Sequence, residues 1–215
     1  MATRTVLILF IVLTLVAGSA QSSGIFSYGA KAGLSFAATD YKYEVTALGE
    51  KKRDWRNGLL VGVVFDYRLL PFASVRPEFT YVQKGSKYNF EITTEQYPLG
   101  TGEYMEANER IDYLSLQLLV KVRAPKPGPH PYLLAGPRLD LKLSESSDFG
   151  GNSVLDKAKS TVFGGTVGAG FSIPVGPVTN LFVEFEYYPD FGDAVNETAV
   201  NVTNKSLSVA AGLMF

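Results

Sequence analysis

The sequence contains no cysteine. This excludes disulfides, thiolate metal sites, a cysteine nucleophile and a lipid-anchored N-terminal cysteine. An exported all-β domain without disulfide staples needs either a large core or a membrane. Histidine is almost missing as well. The single copy, His130, sits in Pro125-Lys126-Pro127-Gly128-Pro129-His130-Pro131, a stretch too rich in proline for a strand interior. One histidine cannot supply a His pair for a metal, and it makes a Ser-His-Asp site improbable. Charge of one sign is not in excess either. Lys and Arg total 20 against 21 Asp and Glu, so no basic field points to nucleic acid and no acidic block to a disordered tail. Finally, no stretch reaches the roughly 20 apolar residues a helical span needs. A chain of this kind that enters a membrane does so as a closed barrel.

What is present begins with an address. Arg4 precedes an apolar run from Val6 to Val16, and Ala17-Gly18-Ser19-Ala20 places small residues at the −3 and −1 positions of a cleavage site. This is the pattern of a secretory signal peptide over residues 1–20. The remainder, residues 21–215, is of single-domain size, with no linker or internal repeat. The 12 Tyr, 14 Phe and 21 Gly of the whole chain favour strands and tight bends over helices.

Alternation dominates that remainder. Leu114, Leu116, Leu118, Val120 and Val122 fall on one face, and Ser115, Gln117, Lys121 and Arg123 on the other. A helix, with a period of 3.6, would mix these two sets. Seven further segments repeat the pattern, near 26–38, 56–69, 74–89, 131–143, 159–174, 179–190 and 204–215. Residues 39–55, 90–108, 144–158 and 191–203 read as long polar connections. The breaks at 70–73, 125–131 and 175–178 are short, with Pro or Gly. Short turns on one side and long loops on the other mark an outer-membrane barrel with periplasmic turns and external loops. The expectation is an all-β, eight-stranded antiparallel up-and-down transmembrane barrel in the bacterial outer membrane, with outer-membrane lipid as its surroundings.

If the apolar faces meet lipid, the opposite faces line the lumen. They carry Lys31, Asp66, Arg68, Arg76, Glu78, Lys121, Arg123, Arg138, Asp140, Glu184 and Glu186, with Arg56, Lys84 and Lys142 nearby in the pattern. An eight-stranded barrel is just wide enough to be filled by side chains. Buried charges must pair there, so the expected arrangement is an ion-pair network plugging the lumen. Glu184 and Glu186 share a face but read as counter-ions. General acid work needs a raised pKa, which nearby cations oppose. Trp55, Tyr187 and Tyr188, near strand ends, fit an interfacial aromatic girdle.

Several stretches resemble the PorT-like outer-membrane β-barrel family, widespread in Bacteroidetes. They are Val75-Arg76-Pro77-Glu78-Phe79-Thr80-Tyr81-Val82-Gln83-Lys84-Gly85, Tyr113 to Lys121, and Pro131-Tyr132-Leu133-Leu134-Ala135-Gly136-Pro137. The opening Lys31-Ala32-Gly33-Leu34-Ser35 and the Gly-rich Val167-Gly168-Ala169-Gly170 agree with it. The resemblance implies an eight-stranded outer-membrane barrel and no catalytic residues; one branch of the family is tied to protein secretion. The closing Phe215 also resembles the signal read by the barrel-assembly machinery.

On these readings the expectation is a protein that is not an enzyme and has no cofactor, since an outer-membrane hydrolase or protease would use a His-containing site at the external rim and His130 falls at the periplasmic one. The readings leave a small barrel with a structural, adhesive or assembly and secretion-associated role exercised through external loops; its specific protein partner is unknown. The alternative is a soluble lipocalin-like barrel holding an apolar small molecule, in which the same alternation is turned inside out.

Overall fold

The computed structural model describes residues 25–43, 50–52, 54–91, 101–102, 104–124, 128–148, 159–191 and 200–215. The export signal expected over residues 1–20 lies outside the described residues. The strands are β1 (Phe26–Tyr43), β2 (Glu50–Lys52), β3 (Asp54–Leu70), β4 (Ala73–Glu91), β5 (Tyr104–Arg123), β6 (His130–Ser147), β7 (Thr161–Pro174), β8 (Asn180–Pro189) and β9 (Val200–Met214). Each wall strand pairs antiparallel with the next, and β9 pairs back on β1 from Gly29↔Met214 to Tyr43↔Val200. That last ladder closes the sheet and removes its edges. β2 pairs with Asp40–Lys42 of β1, on the same side as β3 and beyond its end. It prolongs β3's place in the wall, so eight strands make the barrel.

The alternating pattern sets which side faces out. Leu34, Leu59, Phe79, Leu118, Leu133, Val167, Phe185 and Val209 are exposed, while Lys31, Arg76, Glu78, Arg138, Asp140, Glu184 and Glu186 are buried. The greasy face is therefore the outer one. The lipocalin-like inversion, which needs apolar side chains turned inward and charges outward, is not the arrangement adopted. Near the chain termini the outer face carries rings. Phe26 stacks on Phe65 at 6.3 Å, Phe65 meets Phe79 edge-on at 6.2 Å, and Tyr28 lies 6.0 Å from Phe215.

The strands run further than alternation suggests. β1 reaches Tyr43, β4 reaches Glu91, β5 starts at Tyr104 and β9 at Val200, inside segments whose polarity reads as loop. The reason is the limited height of the membrane. The 20 residues of β5 extend ~65 Å at ~3.3 Å each, or ~50 Å along the normal when tilted ~40°, against an apolar band of ~25 Å. The upper part of the wall stands in water, where both faces can be polar and periodicity fades. Arg110 pairs with Asp112 at 3.3 Å, and Ser144 donates to Asp112 at 2.9 Å, at this level.

Large side chains can fill the lumen because one wall is made of small ones. β7 turns Gly164, Thr166, Gly168, Gly170 and Ser172 inward. Tyr132 pairs with Gly170 across β6–β7, and its ring covers the glycine; Phe182 covers Gly212 across β8–β9 in the same way. A Cβ on residue 170 would overlap the Tyr132 ring. Gly170→Val should therefore destabilise the barrel by about 1–3 kcal/mol through overpacking. A urea titration in detergent, followed by Trp55 fluorescence, reads the shift in midpoint. Unchanged stability would show that Tyr132 can swing away freely.

Candidate functional site: the sealed lumen

The lumen is layered. At its centre Lys31 (β1) meets three carboxylates. Its ammonium lies 2.6 Å from Glu78 (β4), 2.9 Å from Glu186 and 3.3 Å from Glu184 (both β8). Arg76 (β4) lies 2.7 Å from Glu78 and 2.5 Å from Glu184. These arginine contacts are close ion pairs whose angles fall short of aligned hydrogen bonds. All five side chains are completely shielded from solvent. Tyr132 donates to Glu184 at 2.6 Å, and Tyr188 donates to Glu186 and contacts Ser208 at 3.0 Å. The hydroxyls fill acceptor sites that the two cations leave open, a condition for holding charge in a dry interior.

A second group lies toward the long loops. Lys84 (β4) pairs with Asp140 (β6) at 2.5 Å, and Arg138 (β6) lies 3.1 Å from the same carboxylate. Arg138 also pairs with Asp190 and donates to the Gly165 carbonyl at 3.0 Å. Ser115 donates to Asp140. The third group lies toward the short turns, where Lys121 (β5) pairs with Asp66 (β3) at 2.9 Å and sits 4.4 Å from the Tyr132 ring centre. Arg68 (β3) and Arg123 (β5) stand at the open end beyond it. Among the described residues, neither joins an ion pair.

Sequence reasoning missed the apolar layers between these groups. Val64, Leu119, Tyr132, Leu134, Phe182 and Met214 form one buried cluster, and Leu60, Val82, Ile111, Tyr113, Val162, Tyr188 and Ala210 form another. They point inward because the strands from β3 to β9 carry apolar residues at some inward positions as well as at most outward ones. An unbroken run such as Leu59-Leu60-Val61 is the signal that could have found them. Tyr188 is a correction to the girdle: it is buried and bonded to Glu186, whereas Trp55 and Tyr187 are exposed. Lys142 pairs with Glu145 at 2.8 Å near the upper rim, away from the centre. Arg56 is part-buried in β3, with a buried Nη1 that has no hydrogen-bond partner.

Carboxylate oxygens of Glu78, Glu184 and Glu186 lie within 4.8 Å of one another, a spacing that a metal ion could use. The Lys31 ammonium reaches all three and supplies that positive charge itself. Paired this way, the glutamates are counter-ions to Lys31 and Arg76.

A closed antiparallel barrel, greasy outside and ionic within, is an outer-membrane β-barrel. More narrowly, the chain belongs to the outer membrane protein beta-barrel domain family, whose profile matches residues 19–196. It is located in the bacterial outer membrane. No curated protein matches it in sequence. Among solved structures it is similar to OprG of Pseudomonas aeruginosa, with a TM-score of 0.50 and 14% identity over 89% of this chain and 96% of that one. Neisserial surface protein A is similar at a TM-score of 0.49 and 17% identity, over 88% of this chain and 95% of that one. The outer-membrane protease OmpT of Escherichia coli gives 0.49 and 10%, over 92% and 99%. At these identities the likeness concerns the fold alone.

Proposed function

We propose that this protein is a non-conducting, non-enzymatic outer-membrane barrel that works through its external face, in a structural, adhesive or assembly and secretion-associated role. The observation that carries this reading is the filled lumen. Two apolar clusters and three ionic groups occupy the interior, which leaves the external wall and loops as the surface available to partners. The ion-pair network of Lys31, Arg76, Glu78, Glu184 and Glu186, with Arg138–Asp140 above and Lys121–Asp66 below, is the plug. In this reading Phe215, packed beside Tyr28 at the end of the barrel, is the mark read by the barrel-assembly machinery. The segments at 75–85, 113–121 and 131–137 favour a PorT-like branch of the family.

Planar-bilayer recordings test the plug. The folded protein should show no steady current steps above the bare-membrane baseline at 1 M salt. Steady conductance would overturn the reading. Trypsin added to intact cells should cut within residues 149–158, after Lys157; cleavage confined to the short turns would reverse the assigned orientation.

A further inference from the structure

One end of the lumen is not like the rest. Beyond the lower apolar cluster, the barrel opens on the side of the short turns into a cavity of about 60 Å³. Phe182 and Met214 close its floor. Arg68, Arg123, Lys121, Asp66 and His130 line it, with Ser27, Ser172 and Asn180 beside them. Strand parity sets the direction of both arginines. Arg68 follows Val64 and Asp66 on the inward face of β3, and Arg123 follows Leu119 and Lys121 on that of β5. They face the cavity and turn away from lipid, so they are not side chains reaching back along the outer wall to a membrane surface.

The charge in this mouth is not balanced. Among the described residues, Asp66 is the one carboxylate lining it, and it is taken by Lys121 at 2.9 Å. Three cations against one anion leave an excess of two positive charges. Deeper in the lumen, the cations Lys31, Arg76, Lys84 and Arg138 each meet a carboxylate within ion-pair distance, as Lys121 does at the mouth. Arg68 and Arg123 repel each other across the mouth and, among the described residues, have no ion-pair partner of their own. Two planar guanidiniums converging on one small cavity, with hydroxyl and amide donors beside them, match the multidentate geometry of an oxyanion. The His130 Nδ1 is engaged with the Gly128 carbonyl at 2.8 Å, which holds the ring at the rim.

We propose that Arg68 and Arg123 form a phosphate-binding site at the periplasmic mouth of the barrel. The phosphate is either the free ion or the headgroup of a phospholipid in the adjacent leaflet, folded over the rim. The site is independent of what the external loops do.

The test uses the folded, full-length mature barrel in maltoside micelles in phosphate-free chloride buffer. The Nε–Hε signals of Arg68 and Arg123 are followed by NMR while inorganic phosphate is added. In the second arm, the protein moves into phospholipid nanodiscs with no free phosphate. Saturable, joint movement of both signals on titration identifies free phosphate; the same movement on entering nanodiscs identifies the headgroup. In Arg68→Gln or Arg123→Gln, phosphate should bind at least tenfold more weakly, or the remaining nanodisc shift should vanish. Heat-modifiable migration on gels confirms that each variant is folded. Arg123→Lys, which keeps the charge and loses the fork, should retain part of the response. If neither arm moves both signals, or if the glutamine variants respond as the native protein does, the site does not exist.

Discussion

Lys31→Met should cost the barrel about 3–5 kcal/mol, the range for removing one partner of a buried ion pair. The central group holds three carboxylates against two cations, a formal charge of −1. Without Lys31 the same fully shielded volume carries −2, with Glu186 deprived of its cation and Glu78 and Glu184 left to Arg76 alone. The loss should show as a lower urea midpoint in detergent and as a larger unfolded band on heat-modifiable gels. Lys31→Met combined with Glu186→Gln returns the group to −1 and should recover more than half of the lost stability. Such recovery would separate electrostatics from packing, since the methionine fills nearly the same space in both variants. Equal loss in the single and double variants would mean that the ammonium matters for its volume and not for its charge.

The outer wall was legible in the sequence, and the inner one only in part. Lipid imposes a uniform demand on every outward position, so Leu114 to Val122 can be read without knowledge of any neighbour. The lumen imposes no uniform demand. An inward residue must suit whatever crosses from the opposite wall, and that depends on register. Lys31 and Glu186 are 155 residues apart and meet only because β1 closes on β9, which pairs with β8. Sequence pattern can place both on inward faces but cannot say that they touch. The same limit explains why Arg138–Asp140 and Lys121–Asp66 form separate groups, and why Arg68 and Arg123 stand apart from all of them. The strand ends were misread for a different reason. Above the membrane, neither face has a preferred polarity, so the sequence of β4 near Glu91 and of β5 near Tyr104 carries loop-like composition on extended backbone.

The inward layering also explains how a barrel can hold so many buried charges. An ionic group is tolerable when its members satisfy one another and water cannot compete for them. The apolar cluster around Val64, Leu119 and Phe182 separates the central group from the open mouth, and the cluster around Leu60, Ile111 and Val162 lines the lumen toward the long loops. Arg76 gains further from the Phe182 ring, 5.1 Å from its guanidinium, a contact worth more where water is excluded. The plug therefore depends on the grease as well as on the charges.

Phe185→Arg isolates the outer face of the same wall at the same height. Phe185 lies between Glu184 and Glu186 on β8, and it is 60% exposed while both glutamates are buried. One residue thus separates the most ionic layer of the interior from the lipid. An arginine at this position cannot reach the three carboxylates, because the backbone of the wall stands between. It instead enters hydrocarbon, where Arg or Lys on the lipid face costs about 2–4 kcal/mol at mid-membrane and about 0–1 near the interface. Phe185→Arg should therefore lower stability by about 2–4 kcal/mol, and Leu213→Arg, nearer the rim where β9 ends, by distinctly less. Reversible urea titrations in lipid vesicles measure both. A depth-dependent difference locates the apolar band against the strands. Equal, near-zero costs at both positions would mean that the wall around Phe185 is not in contact with hydrocarbon, and the membrane placement of the whole barrel would have to be abandoned.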